Sequence, residues 1–349
     1  MKIWIATGGT GGHVCPALSV GDMLTHMGHR VIISTDKRGM KMVRKGLPDG
    51  AGVAFVWADQ VGGQSKLRAA LSLARIGISA AAYFLRFAIF RPDRIVAFGG
   101  YSSVPIVFAA HLLKIPTYLH EQNAAIGRAN KLSLKWVNTL MTSFPEVSGI
   151  PKNVARVEYT GLPVRCEFMN AFTKPTDDFR ILVTGGSLGS TILDQTVPTA
   201  ISALPTALKK KLFVVHQTRP ELVKSVDKAY RDAGVRANVL SFIHDMANQI
   251  SSADLAISRA GASTIAEFQA TGTPAIMVPL EINPDQPANA AAFEKQGGGI
   301  VAKSKIFTPK WLAATLEELI SNPARVQKMA AKAKLENRAA KKIAEIVLK

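Results

Sequence analysis

One short pattern occurs twice in the chain and constrains its fold more than any other feature. Residues 7–12 read TGGTGG after the apolar run from Ile3 to Ala6, and residues 184–189 read TGGSLG after the segment 180–184. Glycine permits positive φ angles and lacks the Cβ atom that would keep a ligand away from backbone N–H groups. A strand, a glycine loop and a helix in this order are typical of a phosphate-binding loop. Each loop alone is weak evidence, but together they predict two similar domains.

The hydrophobic pattern predicts an α/β protein with doubly wound parallel sheets. Helical segments alternate with apolar strands, the first helix running from near Pro16 to about His29, and only helices are indicated after Pro309. Such alternation is typical of parallel sheets. The expected strands are residues 3–6, 31–34, 53–57, 94–98 and 116–119 in the first half, and 180–184, 212–216, 237–240, 254–258 and 275–278 in the second.

The length and the prolines place a domain boundary near residue 160. A chain of 349 residues is long for a single core and corresponds to two domains of about 150 residues each. Prolines at positions 145, 151, 163 and 175 mark looser structure, so we expect domains at 1–160 and 161–324. Only two cysteines occur, and the first strand begins directly after Met1. These features predict a cytoplasmic protein without a signal peptide or a disulfide framework.

The formal net charge of +18 is concentrated in two parts of the chain. Residues 1–160 hold 19 Lys and Arg against 8 Asp and Glu, residues 161–324 hold 16 against 15, and residues 325–349 hold 8 against 2. Such an excess is typical of proteins that bind nucleic acid or an anionic membrane surface, although a merely solvated basic surface is a third possibility. Nucleic acid is disfavoured, because no patch of aromatic residues interleaves with the basic ones.

Residues 69–90 are mostly apolar but are not expected to cross a membrane. Arg75 and Arg86 interrupt them, and the uncharged run between Ile76 and Leu85 is far shorter than the about 20 residues that a span requires. A helix lying in the membrane interface and an ordinary buried helix remain as alternatives. Residues 95–113 also lack formal charge, but glycines and Pro105 divide them into a strand, a turn and a helix.

Polar residues gather where the predicted strands end, which is where open α/β sheets bind ligands. In the second half these segments are 184–190, 216–219, 242–245, 258–264 and 283–289. Residues 261–267 place small residues with free N–H groups at a helix start, which suits an anion. Glu267 follows one turn later. Its carboxylate could accept hydrogen bonds from two sugar hydroxyls, or could only complement the helix dipole.

In chain order, these motifs resemble those of the MurG family of N-acetylglucosaminyltransferases, within glycosyltransferase family 28. The resemblance covers nearly the whole chain and rests on Gly8 to His13, Gly99 to Pro105, His120 to Asn123, Gly185 to Ser187, Arg259 with Gly261 and Ala262, Glu267, and Gln286 with Asn289 and Ala290. It implies a glycosyltransferase B fold, in which two Rossmann-like domains face across a cleft and the last helix, about 325–349, packs on the first domain. It also implies a peripheral enzyme on the cytoplasmic face of the inner membrane.

The implied reaction is inverting, metal-independent transfer of GlcNAc from UDP-GlcNAc to the C4 hydroxyl of undecaprenyl-diphospho-MurNAc-pentapeptide, a step of peptidoglycan synthesis. No cofactor is expected, and no D-x-D metal motif occurs in the chain. His13 is the candidate base, because an unperturbed histidine titrates near neutral pH, with a purely structural role as the alternative.

The resemblance also assigns the other site residues. The implied acceptor-binding residues are Gly11, His13, Tyr101, Glu121 and Asn123. The implied donor-binding residues are Thr10, Gly11, Gly12, Asn123, Arg165, Ser187, Ile243, Ala262, Ser263, Thr264, Ile265, Ala266, Glu267, Asp285 and Gln286.

The chain departs from the family pattern at Leu162, Leu188, Arg219 and Asp285. The two leucines remove hydrogen-bonding capacity near the donor, whereas Arg219 could act as a phosphate ligand or be a solvated loop residue. Two other functions are alternatives: a diacylglycerol glycosyltransferase or nucleotide-sugar epimerase of similar fold, and a non-catalytic nucleic-acid-binding protein. The segments from Gly99 to Pro105 and from His120 to Asn123 favour the peptidoglycan enzyme, and the oligomeric state stays open.

Overall fold

A computed structural model of the chain describes residues 1–58, 66–154, 156–171, 177–186 and 189–349, and the side chains of 66–69 are not described. Ser187 and Leu188 therefore lie outside the described residues. The chain divides into two compact units. The first comprises Met1–Arg165 with Asn337–Lys349, and the second comprises Cys166–Glu336.

The first unit contains a seven-stranded sheet in which every neighbouring pair is parallel, in the order β3-β2-β1-β4-β5-β6-β7. Its strands are β1 (Lys2–Ala6), β2 (Arg30–Thr35), β3 (Gly52–Phe55), β4 (Arg94–Ala97), β5 (Thr117–Glu121), β6 (Thr139–Thr142) and β7 (Val157–Tyr159). Its helices before the chain leaves the unit are α1 (Gly11–His26), α2 (Lys37–Lys45), α3 (Lys66–Ile89), α4 (Val104–Leu112) and α5 (Arg128–Ser133).

The second unit contains a six-stranded sheet, again with parallel neighbours only, in the order β10-β9-β8-β11-β12-β13. Its strands are β8 (Phe179–Thr184), β9 (Leu212–Gln217), β10 (Arg236–Leu240), β11 (Leu255–Ser258), β12 (Ala275–Met277) and β13 (Gly299–Val301). Its helices are α6 (Cys166–Met169), α7 (Thr191–Ser202), α8 (Thr206–Lys209), α9 (Val223–Asp232), α10 (Met246–Ser251), α11 (Ala262–Thr271), α12 (Asp285–Gln296), α13 (Pro309–Ser321) and α14 (Pro323–Ala333). The predicted class of two parallel-sheet α/β domains is confirmed.

The last helix, α15 (Ala339–Leu348), belongs to the first unit. Its buried residues Ile343 and Val347 join the core that α1 forms with one face of the first sheet. The returning segment is shorter than the expected 325–349, because α14 remains with the second unit. Val326 and Met329 of α14 lie in the core of the second unit, which explains why the chain returns to the first unit only after α14.

Helix α1 begins at Gly11, within the glycine loop, rather than near Pro16. The N–H groups of His13 and Val14 already donate to the carbonyl of Thr10, at 3.0 and 2.9 Å. The positive end of α1 therefore lies at the glycine loop itself, and Pro16 is accommodated inside the helix.

Helix α3 packs on the first unit along one side and leaves apolar side chains exposed on the other. Ser79 and Tyr83 donate their hydroxyls to the carbonyls of Trp57 and Phe55, at 2.7 and 2.8 Å, and the rings of Tyr83 and Phe87 pack on Trp4. Among the described residues, Ala70–Ile89 is the segment whose length and composition would suffice to cross a membrane, with a mean hydropathy of 1.3 and 22% of it buried. Its hydrogen bonds and buried aromatic rings make α3 part of the fold of this unit.

Both sheets reverse their strand order beside the strand that precedes a glycine loop. In the first unit β1 lies between β2 and β4, and in the second β8 lies between β9 and β11. Ligands of open α/β sheets bind outside the carboxyl ends of the strands at such a reversal. In the first unit the loops after β1 and β4 approach so closely that a Cβ atom on Gly100 would lie 2.8 Å from Cα of Gly8.

The close contact between Gly100 and Gly8 can be tested by paired substitutions. Gly100 and Gly28 have nearly the same backbone angle, with φ of 79° and 82°, but a Cβ on Gly28 would meet nothing within 4 Å. We expect Gly28→Ala to destabilise the protein by about 1–2 kcal/mol, the cost of a left-handed alanine. Gly100→Ala should cost about 1–3 kcal/mol more, because the methyl group must also displace the backbone at Gly8. Urea unfolding followed by circular dichroism measures both, and equal losses would show that the two loops do not meet.

Candidate active site

The carboxyl edge of the first sheet presents His13 beside the glycine loop. The side chain is half-buried, and its Nδ1 atom lies 2.7 Å from Oγ1 of Thr10. Burial and the nearby Arg38 guanidinium lower the pKa of His13 from 6.5 to about 4, while Asp36 acts in the opposite direction. The imidazole is therefore neutral at physiological pH. This pKa lies well below the near-neutral value on which the sequence-based assignment rested.

Asp36 lies under the same loop, and sequence analysis missed it. Its carboxylate is buried and accepts hydrogen bonds from the backbone N–H of Arg38 at 2.9 Å, from Nη2 of Arg38 at 2.7 Å and from Oγ of Ser102 at 3.3 Å. A Cβ atom on Gly9 would come within 2.1 Å of Oδ1 of Asp36, so only glycine fits there. Asp36 thus links the glycine loop, the start of α2 and the turn after β4. A carboxylate directly after a strand was the only available signal.

Glu121 is buried at the end of β5, and its carboxylate is fully engaged within the protein. It accepts hydrogen bonds from N and Nδ2 of Asn123, from N of Gly127 and from Nδ2 of Asn130, at distances between 2.7 and 3.2 Å. Burial raises its pKa, and these hydrogen bonds counteract the rise. The geometry therefore favours a role in holding the loop after β5 over direct contact with a ligand. Asn123 and Tyr101 remain half-buried, with part of each side chain open to solvent.

At the carboxyl edge of the second sheet, α11 points its amino end out of the loop that follows β11. The first N–H groups of a helix lack intrahelical partners. In α11 these are the N–H groups of Ala262, Ser263 and Thr264. The N–H of Ile265 donates to the carbonyl of Gly261 at 3.0 Å. The side chains of Ile265 and Ala266 are buried in the unit. These two residues can therefore reach a ligand only through their backbone, while Glu267 in the next turn is half-buried.

The loop between β12 and α12 is fastened at both of its ends. Oε1 of Gln286 accepts the N–H of Leu280 at 2.9 Å, and Nη1 of Arg259 donates to the carbonyl of Val278 at 3.0 Å. The carbonyl side of the Gln286 amide is therefore used by the protein, and its N–H side is the part that could bind a ligand. Asp285, beside it, is the first residue of α12 and is half-buried.

Both halves of the chain match models of one enzyme family. The family's N-terminal domain model, glycosyltransferase family 28 N-terminal domain, matches residues 3–142, and its C-terminal domain model matches residues 180–346. The chain belongs to glycosyltransferase family 28.

Relatives within the family resemble the chain over nearly its full length. The UDP-N-acetylglucosamine--N-acetylmuramyl-(pentapeptide) pyrophosphoryl-undecaprenol N-acetylglucosamine transferase of Phenylobacterium zucineum (strain HLK1) is 38% identical over 342 residues, covering 93% of this chain and 91% of the relative. The transferase of the same name from Paramagnetospirillum magneticum (strain ATCC 700264 / AMB-1) is 38% identical over 358 residues, covering 99% and 96%. The crystal structure of MurG from Acinetobacter baumannii has a TM-score of 0.81 at 28% identity, covering 100% of this chain and 99% of that one.

In this glycosyltransferase the expected site residues fall into two groups. The first unit holds Thr10, Gly11, Gly12, His13, Tyr101, Glu121, Asn123 and Arg165, and the second unit holds Ile243, Ala262 to Glu267, Asp285 and Gln286. Ser187 lies outside the described residues. Ile243 follows β10 and is buried, so it offers a ligand little more than an apolar edge. The described part of the chain contains no group of three or more His, Cys, Asp or Glu side chains that could hold a metal ion.

The low pKa of His13 gives a direct test of its surroundings in the first unit. In an NMR titration of the seven histidines, with His13 assigned through His13→Gln, the parent His13 should titrate near pH 4. Arg38→Gln removes a nearby positive charge and should move this titration to higher pH, whereas Arg44→Gln, an exposed change on the same helix, should not. A parent His13 that titrates near pH 6.5 would show that burial and the Arg38 charge do not lower its pKa.

Proposed function

We propose that this glycosyltransferase transfers GlcNAc from UDP-GlcNAc to undecaprenyl-diphospho-MurNAc-pentapeptide, the reaction that converts lipid I to lipid II. The observation that carries the proposal is the 38% identity, over 93% of the chain, to a relative named for this transfer. The two sheet edges, each with a glycine loop and a helix amino end, supply the chemistry that such a reaction needs.

The donor is assigned to the carboxyl edge of the second sheet. A nucleoside diphosphate carries negative charge, which is stabilised by free N–H groups at helix amino ends. Ala262, Ser263 and Thr264 offer such groups at α11, and Gly185, Gly186 and Gly189 precede the amino end of α7 in the chain. Glu267 lies one turn into α11, where its carboxylate accepts hydrogen bonds from the two ribose hydroxyls. The N–H side of the Gln286 amide donates a hydrogen bond to a hydroxyl of the GlcNAc.

The acceptor is assigned to the first unit, with His13 as the base. The C4 hydroxyl of the muramoyl sugar must lose its proton as its oxygen attacks the anomeric carbon of GlcNAc, and the bond to UDP breaks as the new bond forms. When Nδ1–H of His13 donates to Oγ1 of Thr10, the lone pair is on Nε2 and can take this proton. A pKa of about 4 keeps the imidazole unprotonated at neutral pH, so its contribution rests on position more than on basicity.

The reaction and the two roles can be tested in one assay. UDP release from UDP-GlcNAc should depend on a lipid-linked muramoyl-pentapeptide acceptor, and release that does not respond to this acceptor would refute the proposed function. His13→Ala should lower kcat by about 100-fold or more with little change in the KM for UDP-GlcNAc, because a base acts in the transition state. Glu267→Ala should instead raise the inhibition constant of UDP, because the ribose hydrogen bonds are lost. Unchanged kcat in the first variant, or unchanged UDP inhibition in the second, would remove that residue from its role.

We also propose that the first unit binds the cytoplasmic face of the inner membrane as a peripheral protein. Leu73, Leu85, Ile89 and Phe90 are each more than half exposed on α3 or directly after it. Exposed apolar surface of this extent is typical of an interaction surface. An apolar groove of about 700 Å³ between α3 and α4 continues this surface, and it is lined by residues such as Phe84 and Phe108.

The cations around this apolar surface support the same assignment. The guanidinium groups of Arg75 and Arg86 lie 5.3 and 4.9 Å from the ring centres of Trp57 and Trp4, and the ammonium group of Lys135 lies 4.9 Å from that of Trp136. Each Lys or Arg near an anionic surface contributes about 1 kcal/mol to binding, and salt screens this contribution. The inserted apolar surface is not screened, so binding to anionic vesicles should weaken with salt without being abolished.

Charge reversal on α3 tests the membrane proposal. The double variant Arg75→Glu/Arg86→Glu should bind anionic vesicles several-fold more weakly and turn over the lipid acceptor more slowly, with unchanged UDP affinity. Lys210→Glu/Lys211→Glu, at two exposed positions of the second unit, makes the same change in net charge and should bind vesicles like the parent. Vesicle co-sedimentation measures both, after a melting curve has established that each variant is folded. Equal binding by parent and α3 variant would place the lipid-binding face elsewhere.

A further inference from the structure

An arginine in the loop after β9, Arg219, lies beside the first turn of α7 and has no carboxylate partner among the described residues. We propose that Arg219 is a ligand of the donor's diphosphate, which it binds together with the amino end of α7. This inference rests on the proposed function, because it assigns one more residue to the donor site of that reaction.

Arg219 is held over the glycine loop of the second unit. A Cβ atom on Gly189 would lie only 2.9 Å from Cγ of Arg219, so the aliphatic part of the side chain lies against the loop backbone. Nη2 of Arg219 donates a hydrogen bond to Oγ1 of Thr191, the first residue of α7. The guanidinium is therefore fixed at the amino end of a twelve-residue helix.

This location is electrostatically unfavourable for a cation unless an anion is present. The amino end of a helix carries a partial positive charge, so an arginine there is repelled rather than stabilised. Within the described part of the chain, Arg219 has no carboxylate partner. The acidic residue in the first turn of α7, Asp194, is buried and directs Oδ1 to Nε2 of His216 at 3.2 Å. Asp194 thus complements the helix and contacts His216, and no carboxylate among the described residues pairs with the guanidinium of Arg219.

A second, independent observation comes from two hydroxyl groups beside these residues. Ser190 immediately precedes α7 and Thr218 immediately precedes Arg219, and both are buried, with 4% and 2% of their surface exposed. Oγ of Ser190 and Oγ1 of Thr218 have no hydrogen-bond partner among the described residues, and Ser190 does not cap α7 with its side chain. A buried hydroxyl without a partner costs free energy, so most such groups in native proteins are paired.

The chemistry of these groups favours a phosphate over a sugar or a base. A guanidinium offers a planar set of N–H donors that matches two phosphate oxygens, and hydroxyls and helix N–H groups also donate to phosphate. A neutral sugar or uracil would leave the charge of Arg219 uncompensated. The Arg219 departure from the family pattern therefore adds a phosphate ligand to this chain.

Calorimetric titration with UDP and with uridine, which lacks the phosphates, tests the inference without the lipid acceptor. Arg219→Ala should weaken UDP binding about tenfold or more, as expected for loss of a hydrogen bond to a charged group, and leave uridine binding unchanged. Arg219→Lys keeps the charge but not the planar set of donors and should retain part of the affinity. Arg236→Ala is the matched control, since Arg236 is an exposed arginine of the same unit that pairs with Asp178 and starts β10, at the amino edge of the sheet.

The outcomes separate this inference from the proposed function. A parent that binds UDP, together with an Arg219→Ala variant that binds it equally well, would overturn the inference and leave the proposed function intact. Equal losses of UDP and uridine binding would show that Arg219 only holds the loop against Gly189, which also overturns it. A parent that binds no UDP would overturn the proposed function and the inference with it.

Discussion

In each unit, the amino ends of helices lie at the carboxyl edge of a parallel sheet, and this arrangement determines where an anionic ligand can bind. Because neighbouring strands are parallel, the chain must return to the starting edge of the sheet between them, and most of the loops that follow a strand lead into a helix. The strand order reverses between β1 and β4, and again between β8 and β11, which is where open α/β sheets bind ligands. Glycines follow β1 and β8, and because glycine lacks a Cβ atom, a ligand could come close to the backbone N–H groups there.

The parts of the fold that follow from local rules were predictable from the sequence. The long apolar strands and the glycine loops have strong local signals, and the observed strands β8 and β9 agree with the expected segments to within one residue. Strands β6, β7 and β13 were not predicted. They have only three or four residues and no clear alternation, so they are strands because a neighbouring strand pairs with them, as Leu140 does with Val157.

The site was predictable as a set of loops but not as a set of contacts. Glycine spacing indicated where ligands approach, and His13 and Glu267 were named from their place beside these loops. The hydrogen bonds that occupy Glu121, and the burial that lowers the pKa of His13, depend on residues distant in sequence such as Asn130 and Arg38. No local pattern reports that Asp36 will lie beneath Gly9, since the two segments meet only when β1 and β2 pair.

The two sides of α3 have different surroundings in the first unit. Its inner side is held by the hydrogen bonds of Ser79 and Tyr83 to backbone carbonyls and by the packing of Phe87 on Trp4, so its orientation is set by the fold. Its outer side carries exposed apolar side chains such as Leu85 and Ile89. Arg75 and Arg86 lie over tryptophan rings, which lets their long side chains lie along the apolar surface while the charged groups stay at its margin. A helix built in this way suits a membrane surface better than a membrane span, because pulling it into the bilayer would expose the inner hydroxyls and both arginines to hydrocarbon.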